Sequence, residues 1–136
     1  MPKMIFINLP VKDLAASTRF YEAIGCVKNE QFSDDSASSM VWSDTIVFQL
    51  LVRDRYATFT QKQVADAHAT SGMLLALSRD SREDVDSIVE AAKSAGGKID
   101  TREPQDLGFM YLRTFEDLDG HVFEPAWMNP EAMPGA

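Results

Sequence analysis

The feature that most constrains this chain is a β-α-β-β-β order that it runs through twice. Ser43-Asp44-Thr45-Ile46-Val47-Phe48-Gln49-Leu50 aligns without a gap on Leu118-Asp119-Gly120-His121-Val122-Phe123-Glu124-Pro125. The Asp, Val and Phe coincide, and Gln49 falls opposite Glu124. A match this short gains weight from what precedes each copy. A repeated order of elements with the hairpin at the same place in each points to an internal duplication.

In the first copy, Met4 to Val11 is apolar with Asn8 as its one polar member, the pattern of a strand buried on much of both faces. Pro10 ends that strand or places it at a sheet edge. Asp13 is suited to cap a helix in which Leu14, Ser17, Phe20, Tyr21 and Ile24 recur at helical spacing, and Gly25 suits its C-terminal cap. Val27 to Phe32 reads as another strand and Ser33 to Ser39 as a polar loop. Met40 to Trp42 and Thr45 to Val52 read as strands around a Ser43-Asp44 turn. Arg53 to Ser71 lacks a strand pattern, although Tyr56, Phe59, Val64 and Ala67 are spaced for a turn or two of helix.

In the second copy, Met73 to Leu77 is a strand. Ser81 caps a helix with the stripe Val85, Ile88, Val89 and Ala92, and Gly96-Gly97 ends it. Lys98 to Glu103 and Phe109 to Phe115 read as strands with a turn at Pro104 to Gly108. Asp119-Gly120 turns into a last strand, His121 to Trp127. One domain therefore spans 1–136, with modules of about 1–57 and 72–128, a connector of about 58–71 and a tail of 129–136. The tail, with two prolines, reads as disordered or packed on a neighbour.

The chain has 136 residues, 45% hydrophobic and 25% charged, the balance of a globular protein. A net charge of −8 argues against nucleic acid or an anionic membrane as partner. No apolar run approaches the roughly 20 residues of a membrane span. A strand pattern from Met4 onward leaves no room for a signal peptide. The single cysteine, Cys26, excludes an internal disulfide and reads as a small buried hydrophobe. A cytoplasmic location is the expectation.

Glu124 is the residue that asks for an explanation. Partway along a strand, a carboxylate needs a cation, a metal or a hydrogen-bonded partner, or it takes up a proton. The plainer alternative is a solvated carboxylate at a sheet edge. His121 lies three residues before it, so in a strand the two side chains point to opposite faces and do not share a metal. His68 sits in the connector.

Two stretches carry a resemblance to the vicinal oxygen chelate superfamily of glyoxalase I, bleomycin and fosfomycin resistance proteins and extradiol dioxygenases. One is Asn8-Leu9-Pro10-Val11-Lys12-Asp13-Leu14 with Ser17 and Phe20-Tyr21. The other is Glu116-Asp117-Leu118-Asp119-Gly120 with Glu124, in which Leu118 stands where the family usually has proline. The resemblance implies an α+β, glyoxalase-like fold in which two βαβββ modules form a cupped, incomplete eight-stranded barrel around a pocket, often within a homodimer.

It also implies where a metal would sit. The family's four ligand positions fall on Phe6, Gln49, Leu74 and Glu124. Glu124 is an ordinary ligand and Gln49 a weak one, while Phe6 and Leu74 offer none, so the divalent-metal set is incomplete and no cofactor is expected. The expected pocket is apolar, lined by Phe6, Leu74, Met4, Asn8 and Ala76, with Gln49, Glu124 and Tyr111 or Arg113 supplying polarity. Arg113 either neutralises Glu124, or Glu124 stands desolvated as a general base. Three functions follow: a metal-independent binder of a small molecule; a lyase (lactoylglutathione-lyase-like) or extradiol-type dioxygenase using Glu124; or a dimeric scaffold with a collapsed pocket. The fold alone does not choose among them.

Overall fold

The computed structural model describes residues 2–132. The chain divides into two compact units, Met1–Asp66 and Ala67–Ala136. No described helix is long and apolar enough to cross a membrane.

The first unit contains β1 (Ile5–Val11), α1 (Leu14–Ala23), β2 (Val27–Lys28), β3 (Ala37–Val41), β4 (Ile46–Val52) and the short helix α2 (Arg53–Tyr56). Its sheet has the order β1-β4-β3-β2, with β1 parallel to β4 and the other pairs antiparallel. β1 is thus an edge strand, which is where Pro10, lacking an N–H, is tolerated. Alternation along the strands sends Leu9 and Val11 of β1, Phe48 and Leu50 of β4 and Met40 of β3 to the face that carries α1, and all five are fully buried. Phe20 and Tyr21 of α1 complete this core, with the Tyr21 ring 5.7 Å from those of Phe20 and Phe48. Each such side chain stabilises the fold by about 2 kcal/mol through burial.

Local chemistry sets the ends of α1. The Asp13 carboxylate accepts the Ala16 N–H at 3.1 Å. At the other end, Gly25 has φ +118, its N–H donates to Glu22 O and the Cys26 N–H to Tyr21 O. This is a Schellman ending, and glycine supplies its left-handed residue without strain.

Two expectations for this unit are corrected. Val27 to Phe32 is not one strand: Asn29 accepts the Gln31 N–H and caps a 3-10 turn over Glu30–Phe32. Ser33 to Ser39 is not wholly loop, because β3 starts at Ala37 and buries both serines. The Thr18 hydroxyl donates to Leu14 O, so Ser38 is the donor in the 2.7 Å hydroxyl pair that ties β3 to α1. That contact lies outside any periodicity of the strand itself.

The second unit contains β5 (Leu74–Ser78), α3 (Arg82–Ser94), β6 (Lys98–Ile99), β7 (Gln105–Asp106), β8 (Met110–Leu112), β9 (Phe115–Glu116) and β10 (Val122–Met128). β10 pairs in parallel with β5 and antiparallel with β8 and β9, the arrangement that β4 has with β1 and β3. Ser81 caps α3 by accepting the Asp84 N–H, and Val85, Ile88, Val89 and Ala92 are buried as the stripe predicts. α3 ends as α1 does, with Gly96 N–H to Lys93 O and Gly97 N–H to Ala92 O. Phe115 and Phe123, partners in register, stack 5.0 Å apart in this core.

Here too the sequence expectation of long strands is corrected. Lys98 to Glu103 stops at Ile99 because Asp100 takes φ +50. Phe109 to Phe115 is broken at Arg113 and Thr114; Arg113 lies across from Pro125, a residue with no N–H to give the ladder. The Pro104 to Gly108 turn includes the short strand β7. Of the tail, Pro130–Ala132 forms a 3-10 turn and 133–136 lie outside the described residues.

Candidate functional site

In the first unit, the sheet face opposite α1 is open. Strand register lines up its side chains in rows that run across the strands. Phe6, Val47 and Val41 form one row, and Leu51 and Ala37 another. Between them runs a polar row of Asn8, Gln49 and Ser39, extended by Asn29, whose backbone N–H donates to Ser39 O at 2.8 Å. These rows line a cavity of about 630 Å³, within the range usual for a small-molecule site.

The side-chain amides of Asn8 and Gln49 have no hydrogen-bond partner among the described residues. Three phenylalanines surround the polar row, Phe6, Phe32 and Phe59, exposed by 58%, 65% and 55%. Such exposure is a sign of a surface kept for contact rather than for the core. At the rim, Asp34 accepts the backbone N–H and the hydroxyl of Ser36, both at 2.8 Å. Arg55 donates to the same hydroxyl at 2.9 Å and lies over the Phe59 ring. The Ser36 N–H, then its hydroxyl, hold the Asp34 carboxyl below the usual carboxylate range.

In the second unit, Glu124 is in register with Ala76, and Val122 with Leu74, so these four share one face. The Glu124 carboxylate lies 3.7 Å from the Arg102 guanidinium, and its side chain is 17% exposed. Tyr111 and Arg113 lie on the other face, toward α3. The Tyr111 hydroxyl donates to Asp86 at 2.6 Å, and Arg113 donates to Asp86 at 3.0 Å and bidentately to Asp100. The bonds to Asp100 raise the Arg113 pKa, and burial, with the bond to Asp86, raises that of Tyr111. The expected pairing of Arg113 with Glu124 is therefore corrected: Leu112, the cross-strand neighbour of Ala126, shares the face of Ala126 and Glu124, and Tyr111 and Arg113, each one position from Leu112, take the opposite face. Glu124 takes Arg102 instead.

Of the seven residues singled out from sequence, Phe6, Asn8 and Gln49 come together in one cup. Leu74 and Glu124 share a face of the second unit, with Tyr111 and Arg113 on its reverse. Asn29, Ser39, Phe32, Phe59 and Arg55 were not foreseen. Ser39 was legible as the residue two before Val41 in a strand opposite Gln49, but the stretch reads as loop by composition.

At the four positions the resemblance marks, the donor set for a divalent metal is incomplete. The benzyl group of Phe6 and the isobutyl group of Leu74 carry no lone pair, Gln49 offers a neutral amide, and Glu124 is engaged by Arg102. Among the described residues no three His, Cys, Asp or Glu side chains gather as a metal group. Cys26 is buried, and burial pushes its thiol up to about 12, the reverse of what a nucleophile needs.

The sequence matches the model of the Glyoxalase/Bleomycin resistance protein/Dioxygenase superfamily over residues 3–124. Comparison with curated proteins gives no match. Among solved structures, the chain is similar to a hypothetical protein from S. aureus, at 26% identity and TM-score 0.77 over 93% of this chain and 94% of that one. It is similar to a glyoxalase-related enzyme from Fulvimarina pelagi, at 22% identity and TM-score 0.77 over 93% and 88%. It is also similar to the fosfomycin resistance protein FosX from Listeria monocytogenes, at 21% identity and TM-score 0.67 over 96% and 97%.

Proposed function

The chain belongs to the Glyoxalase/Bleomycin resistance protein/Dioxygenase superfamily, and from that premise we propose that it binds a small organic molecule in the cup of its first module without a metal at the superfamily's ligand positions. The observation that carries this reading is Phe6. It stands at the first ligand position implied by the resemblance and instead presents an exposed ring to a cavity of about 630 Å³. A site lined in this way holds its ligand by apolar contact and a few placed hydrogen bonds.

Elemental analysis of protein purified without chelator or affinity-tag metal tests the metal half of the reading. The expected result is no bound transition metal, and near-stoichiometric nickel, zinc, iron or manganese overturns it. A thermal-shift screen tests the other half: a ligand of the folded state raises the midpoint by mass action. A broad library with no stabilising compound counts against a binding role.

A second reading rests on Glu124, whose largely buried carboxylate has, among the described residues, a 3.7 Å contact with Arg102 as its one ion pair. In it the protein is a lyase or dioxygenase, with Glu124 as base or ligand. Once an activity is found, Glu124→Gln with an unchanged rate excludes it.

The reading extends to assembly as a homodimer, supported by the apolar side chain of Ile5, about half exposed on the edge strand β1 and outside the cup, and to a cytoplasmic location, supported by the unpaired Cys26. Light scattering on the full chain reads the first.

A further inference from the structure

The composition of the cup says more than that something binds there. Its central row is made of carboxamides and a hydroxyl: Asn8, Gln49 and Ser39 in register on three strands, with Asn29 beside them on the strand exit. From β1 to β3 the row spans about 10 Å at the usual strand spacing. Each carboxamide offers both a donor and an acceptor. Asn29 uses its side-chain oxygen to cap the turn over Glu30–Phe32, and it lines the cavity.

No ionised side chain belongs to that row. The cup's charged groups, Asp34, Asp44 and Arg55, are exposed residues at its rim, off the carboxamide row, and Asp34 and Arg55 are already joined through Ser36. A ligand ion seated over the carboxamides would lose its water without gaining a countercharge. A neutral ligand that lacks polar atoms would instead leave the Asn8 and Gln49 amides desolvated and unpaired. The aromatic rings of Phe6, Phe32 and Phe59 add flat apolar surface suited to another ring.

Resting on the cup as the binding site, we infer that its ligand is a neutral, planar aromatic or heteroaromatic molecule with hydrogen-bond donors and acceptors along one edge. An aromatic carboxamide is the simplest of this class. The row reads the polar edge, and the apolar rows on either side hold the ring.

Calorimetric titration of the full chain with naphthamide, naphthoate and naphthamidinium tests this, because the three share a shape and differ in charge. The expected result is that naphthamide binds about tenfold more tightly than either ion, with amide NMR shifts at Asn8, Ser39 and Gln49. Gln49→Leu then abolishes the preference, and Asn8→Ala, at an exposed position of the edge strand, weakens it without risk to the core. Equal or tighter binding of either ion at these residues overturns the neutral class and leaves the cup as the site. If none of the three binds while a library compound does bind in the cup, the class inference falls alone. If none binds and no compound of the library binds, the binding role falls with it.

Discussion

At the scale of single residues, the turn before β10 is the most tightly determined point of the second unit. The Asp117 carboxylate is buried and accepts the N–H groups of Asp119 and His121, both at 2.9 Å. Asp117→Ala leaves two turn donors unpaired and is expected to cost about 2–3 kcal/mol in urea unfolding. Gly120 has φ +89, and a Cβ there would stand 2.7 Å from the backbone nitrogen of His68. Gly120→Ala therefore combines left-handed strain with a backbone clash, and a loss of at least about 2 kcal/mol is expected by the same measurement. Asp86 titrates below the ordinary value of 3.8, first because the Tyr111 hydroxyl donates to it and then because of Arg113. A depressed carboxylate contributes stability above its unfolded pKa and loses it as pH falls through the folded one. Tyr111→Phe removes the largest cause, so the stability gap between wild type and variant should be full near neutrality and shrink below pH 3.8; a gap that does not change with pH would disprove the linkage. Cys26 shows the opposite sign. With its thiol raised from 9.0 to about 12, the stability it contributes is complete below 9.0 and is lost as pH rises toward about 12. Alkylation by iodoacetamide at about pH 8 should be at least about tenfold slower in the folded protein than in urea.

At the scale of elements, the two helices show how much the chain discloses locally. Asp13 and Ser81 before them, Gly25 and Gly96 after them, and the stripes between are all short-range signals; the caps hold in the structure, and the stripes are buried except at Leu14, which is half-buried. The strands disclose less, because their ends are decided by partners far away in sequence. β3 gains Ala37 to Ser39 from pairing with Leu51, Leu50 and Gln49. β8 and β9 are parted by Pro125 in the strand opposite. The cup inherits this split. Phe6, Asn8 and Gln49 were readable because the repeat and the family pattern mark their strands, whereas Asn29 and Ser39 join them only through register. The Arg113 assignment failed for a related reason: which face a strand residue occupies is fixed by counting from a boundary, and that boundary was set by the break in the strand. Ser38→Ala tests the importance of long-range ties, since it leaves the Thr18 hydroxyl bonded to Leu14 O alone. A loss of about 1 kcal/mol is expected, measured as a shift of the urea midpoint.

At the scale of the molecule, a net charge of −8 sets an outer limit on partners. Polyanions are repelled at low salt, so the chain should pass through a heparin column even at about 50 mM salt. Retention there would reveal a local basic surface that the total charge conceals. The duplicated order has a consequence of another kind. β4 and β10 occupy equivalent places in their sheets, each parallel to the first strand of its unit, and they present Gln49 and Glu124 at matching positions. Glutamine and glutamate codons differ by one base, so in the language of heredity the two halves stand a single nucleotide from carrying the same carboxylate. A repeated order of this form holds one acidic and one neutral version of the same position, each on the strand that runs parallel to the first of its unit.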